Sequence, residues 1–176
     1  MNYKEVKMTS DMTLAVVHGL IGRFFTKIRE KDAEGALCAL DRLKNLELDK
    51  KRDRRAMELR GAFLVITERI KNKEPIGYSD LAKVLNEKYD LGIPEVGSSM
   101  GRKIGGILGE LSAISYLSSG LVASIYVVNK NTGEPGGGLE NLYKELSEYA
   151  CESPAFDKES LKRDLDEVFD AVRRNS

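Results

Sequence analysis

Residues 97–138 read GSSMGRKIGGILGELSAISYLSSGLVASIYVVNKNTGEPGGG. A Gly/Ser-rich start leads into a run with Ile104, Ile107, Leu108 and Leu111 at three- and four-residue steps, the period of a helix with one buried side. Ser98 or Ser99 is placed to cap it, and residues 98–112 are the expected span. SYLSSG then reads as a loop, and LVASIYVVNK, β-branched and roughly alternating, as a strand at 121–128. The tip that follows, NKNTGEPGGG, has the Gly/Pro content of a turn or wing.

The composition shifts just before this stretch, at Pro75. PIGYSDLAKVLNEKYDLGIP, residues 75–94, gives a short apolar lead-in and a helix from Asp80 to about Tyr89 capped by Ser79. Leu81, Ala82 and Leu85 are its buried side, and DLGIPEVG is a turn. The order is therefore helix, turn, helix, strand and glycine-rich tip, which is that of a helix-turn-helix with a wing.

Upstream, three further apolar periods predict helices. They are 10–30 (Leu14, Val17, His18, Ile21, Phe24, Phe25, Ile28; cap Ser10 or Asp11), 33–46 (Ala36, Leu37, Leu40, Leu43, Leu46; cap Asp32) and 50–72 (Ala56, Leu59, Phe63, Ile66, Ile70). With short connections they read as an antiparallel helical layer. Residues 139–149 and 157–174 close the chain as two more helices, the second with Leu161, Leu165, Val168, Phe169 and Val172 in one row. The fold class is mainly α. A helical region spans 1–74, a winged-helix unit 75–146 and a C-terminal helix 147–176, with a small sheet drawn from 74–78, 121–129 and 135–139. There is no internal repeat.

At 176 residues, 41% hydrophobic and 32% charged, the chain can bury a real core and is too apolar for disorder. No apolar run is long enough for a transmembrane span. MNYKEVKMTSDM has no apolar core of a signal peptide. Cys38 and Cys151 read as two isolated free thiols, which suits a reducing cytoplasm. The 28 basic and 28 acidic residues cancel overall but not locally. Residues 1–74 carry an excess of basic groups and residues 139–176 an excess of acidic ones, which points either to pairing of the two ends, in trans or along the chain, or to one face alone meeting a polyanion.

Catalytic patterns are absent. His18, the one histidine, lies on the buried-looking side of its helix without a Ser, Cys or Asp motif. No Cys/His spacing suits zinc. GSSMGRKIGG lacks the spacing of a phosphate-binding loop. Glu87, Asp90 and Glu95 show no pairing and read as solvated. No cofactor, metal or catalytic residue is assigned.

What remains suits double-stranded DNA. Small residues at Ser98, Ser99 and Gly101 let the start of the second helix approach a phosphate backbone, where free amides and the helix dipole favour an anion. Arg102 is the side chain able to enter a groove or to make a bidentate contact to guanine. Lys103 would touch phosphate, and Gly105 and Gly106 leave a thin face for tight packing. Asn129, Lys130, Asn131 and Thr132 form the wing's contact set. On the other reading, the glycines only make a tight hairpin and the wing is a scaffold for protein binding.

The segment from Ile76 to about Leu146 resembles the winged-helix domain of the alkylguanine DNA alkyltransferases and their alkyltransferase-like relatives. GYSDLAKVL is similar to that family's Tyr-Gly-x-Leu/Val-Ala start of the first helix. SSMGRKIGGIL is similar to its Ala-x-Arg-Ala-Val-Gly-x-Ala-Leu recognition helix, and IYVVNKNTGEPGGG to its Arg-Val-Val strand and Gly-rich wing. The resemblance implies that Arg102 enters the duplex beside a flipped base, and it matches Tyr78 to the tyrosine at the helix start. The alkyl-accepting Pro-Cys-His-Arg motif is absent: Ser124 and Ile125 stand where Cys and His would. The alkyl-transfer chemistry therefore does not carry over, and the DNA-binding frame alone does. A VVNKxTGxPGxG ending is also similar to a small module of bacterial and phage proteins, some with an HNH-type nuclease, a motif this chain lacks.

Together these readings point to a non-enzymatic DNA-binding protein of bacterial or phage type, regulatory or defence-related. The alternatives are a protein-interaction module using the helical surface, and an enzyme acting on nucleic acid. The wide apolar stripes of the helices at 10–30 and 50–72 lead us to expect a homodimer in which the C-terminal helix also takes part, which would match two DNA half-sites.

Overall fold

The computed structural model describes residues 9–152 and 155–174. Residues 1–8, part of the stretch read above for a signal peptide, lie outside the described residues, as do 153, 154, 175 and 176. The fold is mainly α, as expected, with helices α1 (Ser10–Arg29), α2 (Ala33–Lys44), α3 (Arg54–Asn72), α4 (Tyr78–Tyr89), α5 (Gly97–Ser119), α6 (Gly138–Tyr149) and α7 (Lys158–Arg174). Two strands of two residues each, β1 (Ile76–Gly77) and β2 (Val127–Val128), pair in parallel with Ile76 opposite Val127. Val128 also bridges antiparallel to Pro135 across the wing. The small sheet thus falls within the three expected segments but is shorter than each.

Local chemistry sets most of the boundaries. Thr9, one residue before the expected caps, accepts the Met12 amide and starts α1. Asp32 accepts the Gly35 amide at 2.8 Å and starts α2 as expected. The third helix was expected from residue 50 but begins at Arg54. Asp49 Oδ1 accepts the amides of Lys51 and Arg52, and Asp53 Oδ2 accepts the Asp49 amide. Residues 49–53 therefore form a closed turn whose side chains compete with helix formation. The fourth helix starts at Tyr78, directly after β1, with no side-chain cap from Ser79.

Two expectations are corrected. The second helix of the unit does not stop at residue 112 but continues to Ser119, through the segment read as a loop. Its serines are satisfied inside the helix: Ser115 Oγ donates to the Ser112 carbonyl and Ser119 Oγ to the Ser115 carbonyl. Tyr116 buries its ring, and Gly120 ends the helix at φ +72, a backbone state that favours glycine. The strand expected over 121–128 is likewise only Val127–Val128, because Ala123–Tyr126 forms a 3-10 turn. Residues 121–127 are buried on every side rather than alternately, and a short apolar run of that kind does not distinguish strand from helix by period.

One continuous apolar core joins all seven helices. Its centre is an edge-on aromatic group, Phe24, Phe25 and Phe63, with ring centroids 5.1–5.8 Å apart. Each such pair adds about 0.5–1.5 kcal/mol beyond the area it buries. α7 adds Phe169 beside Phe24 and is held by Arg29–Asp164 and Lys73–Asp170 ion pairs. Tyr126 of the 3-10 turn, fully buried, donates its hydroxyl to Asp166 of α7. The C-terminal helix is thus packed on both the N-terminal helices and the 3-10 turn that follows α5. No helix among the described residues is long and apolar enough to cross a membrane.

Candidate nucleic-acid interface

The α4–α5 turn is fixed by one side chain. Asn86 accepts the Ile93 amide at 2.7 Å and donates to both the Ile93 carbonyl and Glu95. Leu91 and Ile93 point into the core, which leaves Val96 77% exposed at the tip. From there α5 runs past α3 with its first three turns largely uncovered. Ser98, Ser99, Gly101 and Arg102 are all exposed. A Cβ placed on Gly101, Gly105, Gly106 or Gly109 would meet nothing within 4 Å. These glycines do not serve the tight internal packing expected of Gly105 and Gly106; they open the helix backbone to the outside.

The cations of the interface divide into held and free. Arg102 makes no hydrogen bond or ion pair among the described residues and lines a shallow hollow of about 510 Å³ with Arg54, Ser99 and Lys103. Lys103, expected to touch phosphate, instead meets Glu58 of α3 at 2.7 Å. The Glu58 side chain is 1% exposed and also takes Arg54 at 3.2 Å and Arg55 at 3.4 Å. A buried carboxylate needs such partners, so these three cations answer a requirement of the fold. Arg55 continues along α5, donating to the Gly106 carbonyl at 3.1 Å and to Glu110 at 2.7 Å. Glu110 in turn meets His18 of α1 at 2.5 Å, so the histidine joins a structural chain linking α1, α5 and α3.

The turn at 129–136, expected as a wing, is built on Asn129 and Tyr78. The Asn129 amide donates to the Glu134 carbonyl, the Asn129 carbonyl accepts from Gly133, and its side chain accepts the Asn131 amide. Gly133 has φ +69 at the turn. Thr132 Oγ1 accepts the Glu134 amide. Tyr78 Oη accepts the Gly136 amide at 3.0 Å, and a Cβ on Gly136 would strike that hydroxyl. Tyr78 is therefore the wing's anchor on α4. Lys130 lays its stem over Gly77 and pairs with Asp80 at 2.7 Å. Asn131, Thr132 and the end of Lys130 remain exposed.

Tyr78, Gly101 and the wing come together around a groove of about 490 Å³. Gly101, Gly105 and Gly109 form one wall, Pro135 and Gly136 the other, and Leu108 and Ser124 lie between them. Leu139 and Leu142 of α6 extend it. Arg102 lies about 100° around the helix from Gly101 and faces the separate hollow beside the α4–α5 turn. The Gly/Pro turn and the start of α5 stand where the sequence places them, whereas Arg54, Glu58, Arg55 and Asp80 carry no such signal. The i, i+4 spacing of Arg54 and Glu58 was visible; that Lys103 would join them depends on how α5 crosses α3.

No cluster of His, Cys, Asp or Glu fit to hold a metal ion occurs among the described residues. No family model matches the chain, and no curated protein and no solved structure matches it.

Proposed function

We propose that the protein is a non-enzymatic binder of double-stranded DNA that presents the start of α5 and the wing to the duplex. The observation that carries this is the bare face of α5. Four glycines in a helix cost about 0.8–1.0 kcal/mol each relative to alanine. The packing of this fold does not require them, since each has open space where a side chain would stand. A surface that keeps its backbone accessible, beside an uncommitted arginine and a wing, suits the phosphate backbone and the edges of a groove.

The electrostatics define how such binding should behave. Lys103 and Lys130 are already paired with Glu58 and Asp80. Few cations are left to displace counterions, and the slope of log K against log salt is about −0.9 per phosphate neutralised. Binding should therefore be weak and shallow in salt, with a slope nearer −1 to −3 than the steep values of strongly basic domains. Fluorescence anisotropy with a labelled duplex over a salt series tests this. No binding at low salt for wild type, or no loss on Arg102→Ala, would remove the DNA reading.

The pairing of Lys103 and Lys130 is also the observation that favours the second reading, a protein-interaction module. On that reading the mostly apolar groove between α5 and residues 135–142 takes a partner segment. We further propose a cytoplasmic homodimer. Met12 and Val16, one turn apart on α1, are 46% and 37% exposed, and Leu37 on α2 is 45% exposed. Light scattering at micromolar concentration showing only monomer would exclude the dimer.

A further inference from the structure

The solvent side of α1 lacks what a surface helix ordinarily shows there. From Met12 to Gly22 its exposed positions are Met12, Ala15, Val16 and Gly19, with no charged or polar side chain among them. The exposed positions of α7 are Lys158, Glu159, Arg163, Glu167, Arg173 and Arg174, every one charged. The water-facing side of an amphipathic helix is normally of the second kind, and a continuous apolar face marks contact with another surface. α5 runs beside α1: His18 meets Glu110 at 2.5 Å, and a Cβ on Gly22 would meet Ser118 and Ile114. Counted from those contacts at about 100° per residue, Leu117, 52% exposed, falls on the same side of the pair as Gly19. The apolar strip is thus two helices wide. Leu37 is not part of it, since it opens onto a cleft beside α7.

Opposite charges mark the two ends of the strip. Asp11 stands just before it and Arg23 just after it, both exposed. Neither makes a hydrogen bond or ion pair among the described residues. Glu30 and Asp32, the carboxylates that follow Arg23 along the chain, are taken by Lys27 at 2.8 and 3.2 Å. Arg23 acts on Asp32 only as a more distant charge. At the rise of an α-helix Asp11 and Arg23 lie about 18 Å apart along α1, with Val17 midway between them. A two-fold axis at that level sets α1 antiparallel to a second α1. It brings Asp11 of each copy opposite Arg23 of the other, and Ala15 opposite Gly19. Small residues then stand where the helices come closest, and Gly19 has nothing within 4 Å of its Cβ position in the single chain.

We infer that this strip is the contact between two copies of the chain, with their α1 helices antiparallel about Val17. The inference rests on the homodimer proposed above and assigns its surface. An apolar strip with a free carboxylate at one end and a free guanidinium at the other is its own complement, as a two-fold contact requires. With one helix of each copy at its centre the contact belongs to the small interfaces, so a micromolar rather than a nanomolar dissociation constant is expected.

The test is sedimentation velocity of the full chain over a concentration series from low micromolar to near millimolar, with thermal melting as the check on folding. Wild type should pass from monomer to dimer. Val16→Glu should keep its melting temperature, because the position is exposed in the single chain, and should weaken the dimer by at least about tenfold. Asp11→Arg and Arg23→Asp should each weaken it as well, since each sets like charges opposite one another twice. The double variant Asp11→Arg/Arg23→Asp should recover self-association, and the two single variants mixed should form a heterodimer that neither makes alone. Monomer at every concentration would overturn both this surface and the homodimer. A dimer indifferent to Val16→Glu, or a double variant no better than the single ones, would overturn this surface and leave the homodimer to another face.

Discussion

The glycines of α5 offer the sharpest test, because fold and function make opposite demands on them. Consider the double change Gly105→Ala and Gly109→Ala. Both positions lie in the helix interior, and an added Cβ at either meets nothing within 4 Å. With no steric term, the helix propensity difference stands alone, about 0.8–1.0 kcal/mol per site. The pair should therefore add about 2 kcal/mol. A domain of this size gains about 2–4 °C per kcal/mol, so Tm should rise by about 4–8 °C. Gly61→Ala on α3 is the control, since its Cβ would come within 3.0 Å of Leu85 and Tyr89 in the core. Overpacking there should cost about 1–3 kcal/mol and lower Tm. The stabilised double variant should lose affinity for duplex, because two methyl groups now hold the helix axis away from its ligand. Differential scanning calorimetry and anisotropy on the same samples read both effects. A fall in Tm would show that the fold needs the glycines. A rise in Tm with affinity intact would show that nothing approaches this face closely.

Three further outcomes are expected. Arg102→Ala should cost DNA affinity by about 1–3 kcal/mol with Tm unchanged, measured by anisotropy and thermal melting, whereas Lys103→Ala should lower Tm because it removes a partner from buried Glu58. Tyr78→Phe should cost about 0.5–1.5 kcal/mol through the lost Gly136 bond, with amide exchange quickening in residues 129–136 but not in α5. Arg52 foremost, and the Asp49 amide, hold the Asp53 carboxyl below its ordinary range. A depressed carboxylate stabilises above the unfolded value of about 3.9 and loses that contribution as pH falls through its folded value. Tm should therefore drop between pH 5 and 2, and Asp53→Asn should flatten part of that drop; equal pH profiles for the two proteins would refute the role.

The features that proved legible in the sequence are those set by neighbours along the chain. The apolar steps of α1, α2 and α3 and the Asp32 cap follow from local periodicity and capping, and the structure has them apart from Leu37, which is exposed, and Leu46, which lies past the end of α2. The end of α5 and the start of β2 were misread because Ser115, Tyr116 and Ser119 look like loop residues in isolation. They are helical because the serine hydroxyls bond carbonyls of the preceding turn of α5 and the Tyr116 ring enters the core. At the candidate interface, the exposure of Ser98, Ser99 and Arg102 was readable from the helix start. The commitments of Lys103 to Glu58 and of Lys130 to Asp80 were not, since each partner lies about 45 or 50 residues away and depends on packing to bring it near.

The parallel pairing of β1 with β2 also governs when the wing takes its place. Ile76 and Val127 are joined only after the whole α4–α5 hairpin has been laid down between them. Closing a loop of that length costs conformational entropy that two short strands repay late, while each helix can form from local contacts alone. The wing and its Tyr78 anchor should thus be consolidated after the rate-limiting step. Weakening them should hasten unfolding and leave the refolding rate nearly untouched, a pattern that stopped-flow chevrons would display directly.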